Sequence, residues 1–267
     1  MGKNNEQYNQ LMEKAVSSDN LVERATSNQR YAENDFNHWV SKLFEKLSFS
    51  SVLDVCCGTG NQLMLFASMP GISYIVGVDI SKKSLNIAQK RLLEIKTDAH
   101  VILKPARMEE IFSDVDFKDY RFDLISCFYG LYYSQNVERL ICEMIEHLSD
   151  EGSILIVGPY GNNNASLFSL LERHFDLPDL VKRSASTFME KEVFPILAKR
   201  CVVNTDFLKN KIHYPNVKSI VDYWRSSTFY SPEYEDAVIK DMEEHFVDHD
   251  EFIVEKHIMA CISKRRK

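Results

Sequence analysis

From about Ser51 to Val157 the chain repeats one pattern: a short apolar run, a turn, then apolar residues three and four positions apart. The runs predict strands near Ser51 to Val55, Ser73 to Val78, His100 to Leu103, Phe122 to Cys127 and Ser153 to Val157. Each is apolar enough to be covered on both faces, as parallel strands are. Helices fill the gaps. Leu85, Ala88, Leu92 and Ile95 share one face behind an N-cap at Ser81. A second stripe, Val137, Leu140, Ile141, Met144, Ile145 and Leu148, predicts a helix that starts at Ser134, with Asp150 to Gly152 turning the chain into the next strand. Alternation of this kind defines an α/β fold.

The flanks read differently. The first 50 residues are polar and rich in Asn, with Tyr31, Phe36, Trp39, Val40, Leu43, Phe44 and Leu47 at helix-like intervals, which predicts a helical cap over 1–49 and one domain over 50–267. After the fifth strand a helical stretch is expected from about Thr187 to Lys199 and a strand from Cys201 to His213. VKSIVDYWRSS and YEDAVIKDMEEHF read as two helices, and EFIVEKHIMACIS as a closing strand that lies antiparallel to its neighbours.

The nine residues VLDVCCGTG, Val52 to Gly60, join a buried strand, the acidic Asp54 and a glycine turn from which a helix can start. Gly58 and Gly60 let the backbone bend sharply and approach a ligand with no side chain between. About 20 residues on, YIVGVDIS ends a second apolar strand in Asp79, the position at which such folds hold ribose hydroxyls. A nicotinamide dehydrogenase would carry G-x-G-x-x-G; here Leu63 occupies the third glycine position, which weakens that reading.

Composition narrows the classes. With 45% hydrophobic and 27% charged residues the chain is an ordinary globular protein, and no apolar run nears the roughly 20 residues of a membrane span. The N-terminus, MGKNNEQYNQ, has neither signal-peptide nor transit-peptide character, so a cytoplasmic location is expected. Six cysteines without paired CxxC spacing suit reduced thiols, and the adjacent Cys56 and Cys57 suit packing beside the glycine turn better than a redox pair. A net charge of −7 offers no electrostatic reason to bind nucleic acid, and the terminal KRRK reads as a solvated tail.

Five central strands, a glycine turn after the first, an acid after the second and a closing antiparallel strand resemble the class I S-adenosylmethionine-dependent methyltransferases, closely over Ser51 to Tyr160. The resemblance implies a Rossmann-like seven-stranded, mostly parallel sheet with an antiparallel last strand, an N-terminal helical cap and inserted helices after strand 5. VLDVCCGTG corresponds to the family's first motif, with Cys56 and Cys57 where small residues or glycine are common. Carried over residue by residue, Asp54 would orient the turn or reach the cofactor ammonium through water. Backbone at Cys56, Gly58 and Gly60 would line the methionine portion, Asp79 would bridge the ribose hydroxyls, and Ile80 would pack on adenine.

The third motif, LKPARMEEI, lacks the aspartate common in relatives, so Ala106, Arg107 and Met108 are the expected adenine neighbours, in part through backbone. In the fourth, FDLISCFYGLYYSQN, Cys127 and Phe128 would stand at the methyl-transfer position, with Tyr129, Tyr132 and Tyr133 shaping the substrate pocket. Tyr31 is expected to reach the cofactor from the N-terminal helices. Tyr132, Tyr133 and His213 are the candidate bases, with His249 and His257 behind them.

No D…D-N arrangement follows the fourth strand, so no metal is expected. VGPYGNNN lacks the N/D-P-P-Y/F pattern of nucleic-acid amino methyltransferases, and its asparagines read as loop formers and helix caps.

The resemblance, which extends to DFNHWV and LYYS of bacterial enzymes, implies S-adenosylmethionine as cofactor, S-adenosylhomocysteine as product and a small-molecule acceptor. The expected acceptor is a hydroxyl of a sugar, glycan precursor or secondary metabolite, with residues of about 160–249 contributing to its pocket. N-methylation of a small molecule, an RNA or protein methyltransferase using the WRSSTFY surface, and a non-catalytic cofactor-binding regulator are the alternatives. The sequence assigns no oligomeric state.

Overall fold

The computed structural model describes residues 11–266. Its seven strands are β1 Ser51–Val55, β2 Tyr74–Asp79, β3 His100–Pro105, β4 Phe122–Phe128, β5 Leu148–Pro159, β6 Cys201–Tyr214 and β7 Phe252–Arg265. They form one sheet in the order β3-β2-β1-β4-β5-β7-β6. The first five run parallel, with Val52 paired to Ile75 on one side and Leu124 on the other, and the closing strand is antiparallel. Every residue of the central β1 is buried, whereas the edge strands β3 and β6 are partly exposed, as position in the sheet requires. The strand order reverses between β1 and β4. In such sheets ligands bind beyond the carboxyl ends at that point.

The helices are α1 Ser18–Tyr31, α2 Phe36–Phe44, α3 Asn61–Ser68, α4 Lys82–Leu92, α5 Val137–Glu146, α6 Ala165–Leu171, α7 Asp179–Ser186, α8 Phe194–Arg200, α9 Val217–Ser226 and α10 Glu235–Asp248. The predicted cap of α4 is present: Ser81 Oγ accepts the Ser84 N–H at 3.2 Å. The helix placed at Ser134 begins later, because the Asn136 side chain accepts the Arg139 N–H at 3.0 Å and caps α5 there. Asp150 to Gly152 form no turn. β5 starts at Leu148 and shifts register against β4 between Phe122 and Leu124, which absorbs those residues into an irregular strand start. The Thr187–Lys199 stretch holds one π turn, Met189–Val193, before α8.

The described chain divides into two compact units that interleave along the sequence. One comprises the described part of Met1–Phe36, with Pro159–Thr187 and Leu208–Ile258. In it α1 packs on α9, and residues 32–34 pair with β6 through an Ala32–Ile212 bridge and reciprocal bonds between Asn34 and Asn210. The other comprises Asn37–Gly158, Phe188–Phe207 and the described part of Met259–Lys267. Here Val40, Leu43 and Phe44 of α2 are buried, and the Phe44 ring meets Phe49, Phe66 and Phe128. The N-terminal segment read as one cap is thus shared between the units. A buried apolar face on α2 and a more polar α1 satisfy different cores.

Within the basic tail Lys264 is exposed, as expected of a solvated segment, but the two arginines are paired with backbone. Arg265 donates to the carbonyls of Ile145, Glu146 and Leu148, and Arg266 to those of Ala198 and Cys201. Both guanidinium groups occupy positions near the ends of α5 and α8, where a cation suits free carbonyls. Among the described residues no helix is long and apolar enough to cross a membrane.

Candidate functional site

β1 ends in a turn that leaves the ordinary backbone regions three times in five residues: Cys56 (φ 62°), Gly58 (φ 54°) and Gly60 (φ 82°). A Cβ on Gly60 would lie 2.9 Å from that of Ala88, so glycine there permits both the left-handed turn and the close approach of α4. The Cys57 N–H donates to Val78 O at 2.9 Å, and the Gly60 N–H to Cys57 O at 2.9 Å. Arg91 secures the turn from α4, donating to Thr59 O at 2.9 Å and Asn61 Oδ1 at 2.7 Å.

Two carboxylates face this turn. Asp79, at the end of β2, accepts the Gly58 N–H on one oxygen and the Ser81 N–H on the other, both at 2.8 Å. Burial raises its pKa, and the two backbone bonds oppose that shift. The carboxylate keeps further lone pairs for a diol. Ile80, next in the chain, is 48% exposed and offers an apolar face at the same strand end. Asp54 is fully buried; its Oδ1 accepts the Ser126 hydroxyl at 2.6 Å, while Oδ2 has no partner. Burial pushes its pKa up to about 7, the Ser126 bond lowers it, and the Asp79 charge raises it further. A buried carboxylate with one unpaired oxygen suits a cationic or donating group brought to the turn.

The loop after β3 closes another side. Ala106 N–H donates to Asp79 O at 3.2 Å, and Met108 Sδ lies 4.0 Å from Cys56 Sγ. Arg107 is exposed, with its guanidinium 3.8 Å from Glu109. At the end of β4, Cys127 and Phe128 are buried. Tyr129 takes a left-handed φ of 54° and donates its N–H to Val157 O at 2.9 Å. A 3-10 turn, Leu131–Tyr133, follows, in which the rings of Tyr132 and Tyr133 lie 4.6 Å apart and Tyr132 meets Phe188 edge-on at 5.7 Å.

Ten of the twelve residues assigned to the cofactor from sequence, with Tyr132 and Tyr133, lie in the unit that contains this turn, at the carboxyl ends of β1, β2, β3 and β4 or just after them. 

Asp54, inside β1 itself, is the eleventh, and Tyr31 belongs to the other unit. The Tyr31 ring lies 5.5 Å from Tyr214 and lines a polar cleft of about 280 Å³ with Ser27, Arg30, Asn216 and Lys218. His213 also belongs to that unit, its Nδ1 2.8 Å from Glu251 and its Nε2 2.9 Å from Glu33. The hydrogen bonds to both carboxylates, Glu251 first, raise its pKa, which favours the charged ring between the two acids. Ser126 and Arg91 were not singled out from sequence. Their partners lie across strands or on another helix, and the spacing of one segment carries no sign of them.

Residues 52–152 match a family described as methyltransferase domain. A demethylmenaquinone methyltransferase of Lactobacillus johnsonii is 26% identical over 151 residues, 55% of this chain and 60% of that protein. A protein of the same name from Lactococcus lactis is 24% identical over 88% of this chain and 87% of its own. The chain spans about half the length of most of the curated relatives it matches. Among solved structures, the plantazolicin methyltransferase BpumL, in complex with a pentazolic desmethylPZN analog and SAH, shares the fold at a TM-score of 0.56, with 17% identity over 99% of both chains. Over residues 52–152 the chain is thus similar to a methyltransferase domain, and its fold is that of solved methyltransferases.

Proposed function

We propose that this protein transfers the methyl group of S-adenosylmethionine to a small molecule, releasing S-adenosylhomocysteine. The observation that carries the reading is the arrangement at the strand-order reversal: Asp79 bound to the Gly58 N–H, the left-handed turn from Cys56 to Gly60, and buried Asp54 with an unpaired Oδ2. When bound, the cofactor would supply an electrophilic methyl on a sulfonium, open to in-line attack by an acceptor with the neutral thioether as leaving group. Backbone from Cys56 to Gly60 would hold the methionine portion. Asp79 would hold the ribose hydroxyls, and Ile80 would cover one face of adenine. Asp54 would draw the ammonium toward the turn.

Alignment of the acceptor with the methyl then falls to the aromatic turn from Phe128 to Tyr133. A hydroxyl acceptor on a sugar, glycan precursor or secondary metabolite would give up its proton to Tyr132 or Tyr133. A second reading, a planar aromatic acceptor, is favoured by the rings at that turn and by the demethylmenaquinone named for the relatives. The six free cysteines fit a reducing, cytoplasmic setting.

Isothermal titration with S-adenosylmethionine and S-adenosylhomocysteine tests the binding, and labelled methyl transfer into metabolite, RNA and protein fractions tests the chemistry. Both compounds should bind, label should enter the metabolite fraction, and Gly58→Arg should abolish binding by filling the cradle. Absence of binding to the unaltered protein would end the reading. Binding without transfer would turn it toward a regulator.

A further inference from the structure

Two positions near the glycine turn carry the side chains that their backbones would not select. Cys56 has a Cβ at φ 62°, where glycine is favoured. Gly130 has φ −121° and ψ −32°, on the negative-φ side open to residues with a Cβ, and carries none. The two facts are connected. A Cβ on Gly130 would lie 2.4 Å from Cys56 Cβ, 2.8 Å from Cys56 Sγ and 3.4 Å from Cys127 Sγ. The Cys56 side chain occupies the space that a side chain at residue 130 would need.

Gly130 opens the turn that carries Tyr132 and Tyr133, and Val55, which precedes Cys56, pairs in register with Cys127. The Cys56 side chain therefore stands between the cofactor turn after β1 and the aromatic turn after β4. On its other side is Met108 Sδ, at 4.0 Å.

We infer that Cys56 is a positioning residue: its side chain, seated against Gly130, sets the distance between the aromatic turn and the cofactor turn. This rests on the methyl-transfer reading above. The thiol is not required as a nucleophile, and the neighbouring Cys127 thiol, with burial, raises its pKa. A strained backbone retained beside a proposed reaction centre is consistent with such a role.

The test is a double-substitution cycle with Cys56→Gly, Gly130→Ala and both together, plus Cys56→Ser. Melting temperature, S-adenosylhomocysteine affinity and the kcat and KM of labelled methyl transfer are read for each. Cys56→Gly should bind S-adenosylhomocysteine within about threefold of the unaltered protein yet lose roughly tenfold or more in kcat, because the aromatic turn has lost its stop. Cys56→Ser, which keeps Cβ and a small γ atom, should recover most of that loss. Gly130→Ala should lower the melting temperature, and adding Cys56→Gly should raise it again.

A double variant no more stable than Gly130→Ala, or a Cys56→Gly protein with unchanged kcat, would overturn the inference. So would a Cys56→Ser protein as slow as Cys56→Gly. If the unaltered protein bound no S-adenosylhomocysteine, the methyl-transfer reading would fail instead, and the melting-temperature coupling would still decide the steric pairing.

Discussion

At the scale of single residues, the two carboxylates were readable because each ends or interrupts an apolar strand next to glycine or a turn. Their partners were not: Ser126 reaches Asp54 through the β1–β4 register, and Arg91 reaches the glycine turn from α4. Burial of Asp54 gives a testable pH dependence. Burial lifts its pKa to about 7, above the ordinary carboxylate value of 3.8, so the folded protein binds more protons than the unfolded chain between those values. Stability from this group therefore falls as pH rises through that window. Asp54→Asn retains an acceptor for Ser126 and removes the titration. Between pH 4 and pH 8 the urea stability of the variant should gain on that of the unaltered protein by roughly 4 kcal/mol at most. His213 carries the same sign. Its raised pKa gives stability that is full below the unfolded value of 6.5 and is lost as pH rises through the folded value. His213→Gln should thus melt lower than the unaltered protein at pH 6 and nearly with it at pH 9. The partial exposure of the three side chains keeps the difference small.

At the scale of elements, strand and helix identity followed from apolar periodicity, but ends and irregularities did not. Ser81 was readable as a cap because one hydroxyl precedes one apolar stripe, whereas Ser134 and Asn136 compete and only the geometry selects Asn136. The irregular start of β5 depends on its pairing with β4, which no local pattern encodes. The basic tail makes the same point. Four consecutive basic residues look solvated in isolation, yet Arg265 becomes a carbonyl cap once β7 carries it to the end of α5. Arg265→Ala should cost about 1–3 kcal/mol in equilibrium urea denaturation, since several carbonyls lose a charged donor together. Arg265→Lys should recover less than half of it, because an ammonium lacks the planar fork of donors.

At the scale of the whole molecule, the alternation of strands and helices sufficed for a parallel α/β sheet, and the closing apolar strand for its antiparallel end. The cofactor turn was legible because a strand, a glycine turn, a helix and a second strand ending in an acid are contiguous in sequence and in space. The division into two units was not. It splits the N-terminal segment and passes through β6 and β7, so neither unit is a continuous stretch of chain. Tyr31 and His213 were grouped with the site from sequence without a motif to fix them, and tertiary contacts place both in the unit that does not contain the glycine turn. By itself the sequence determined the periodic elements, the glycine turn and its two carboxylates, all of which depend on residues close together along the chain. Tertiary structure alone decided the left-handed Cys56 seated against Gly130, the orphaned Asp54 oxygen and the paired His213, because each depends on what packing brings against a residue from far along the chain.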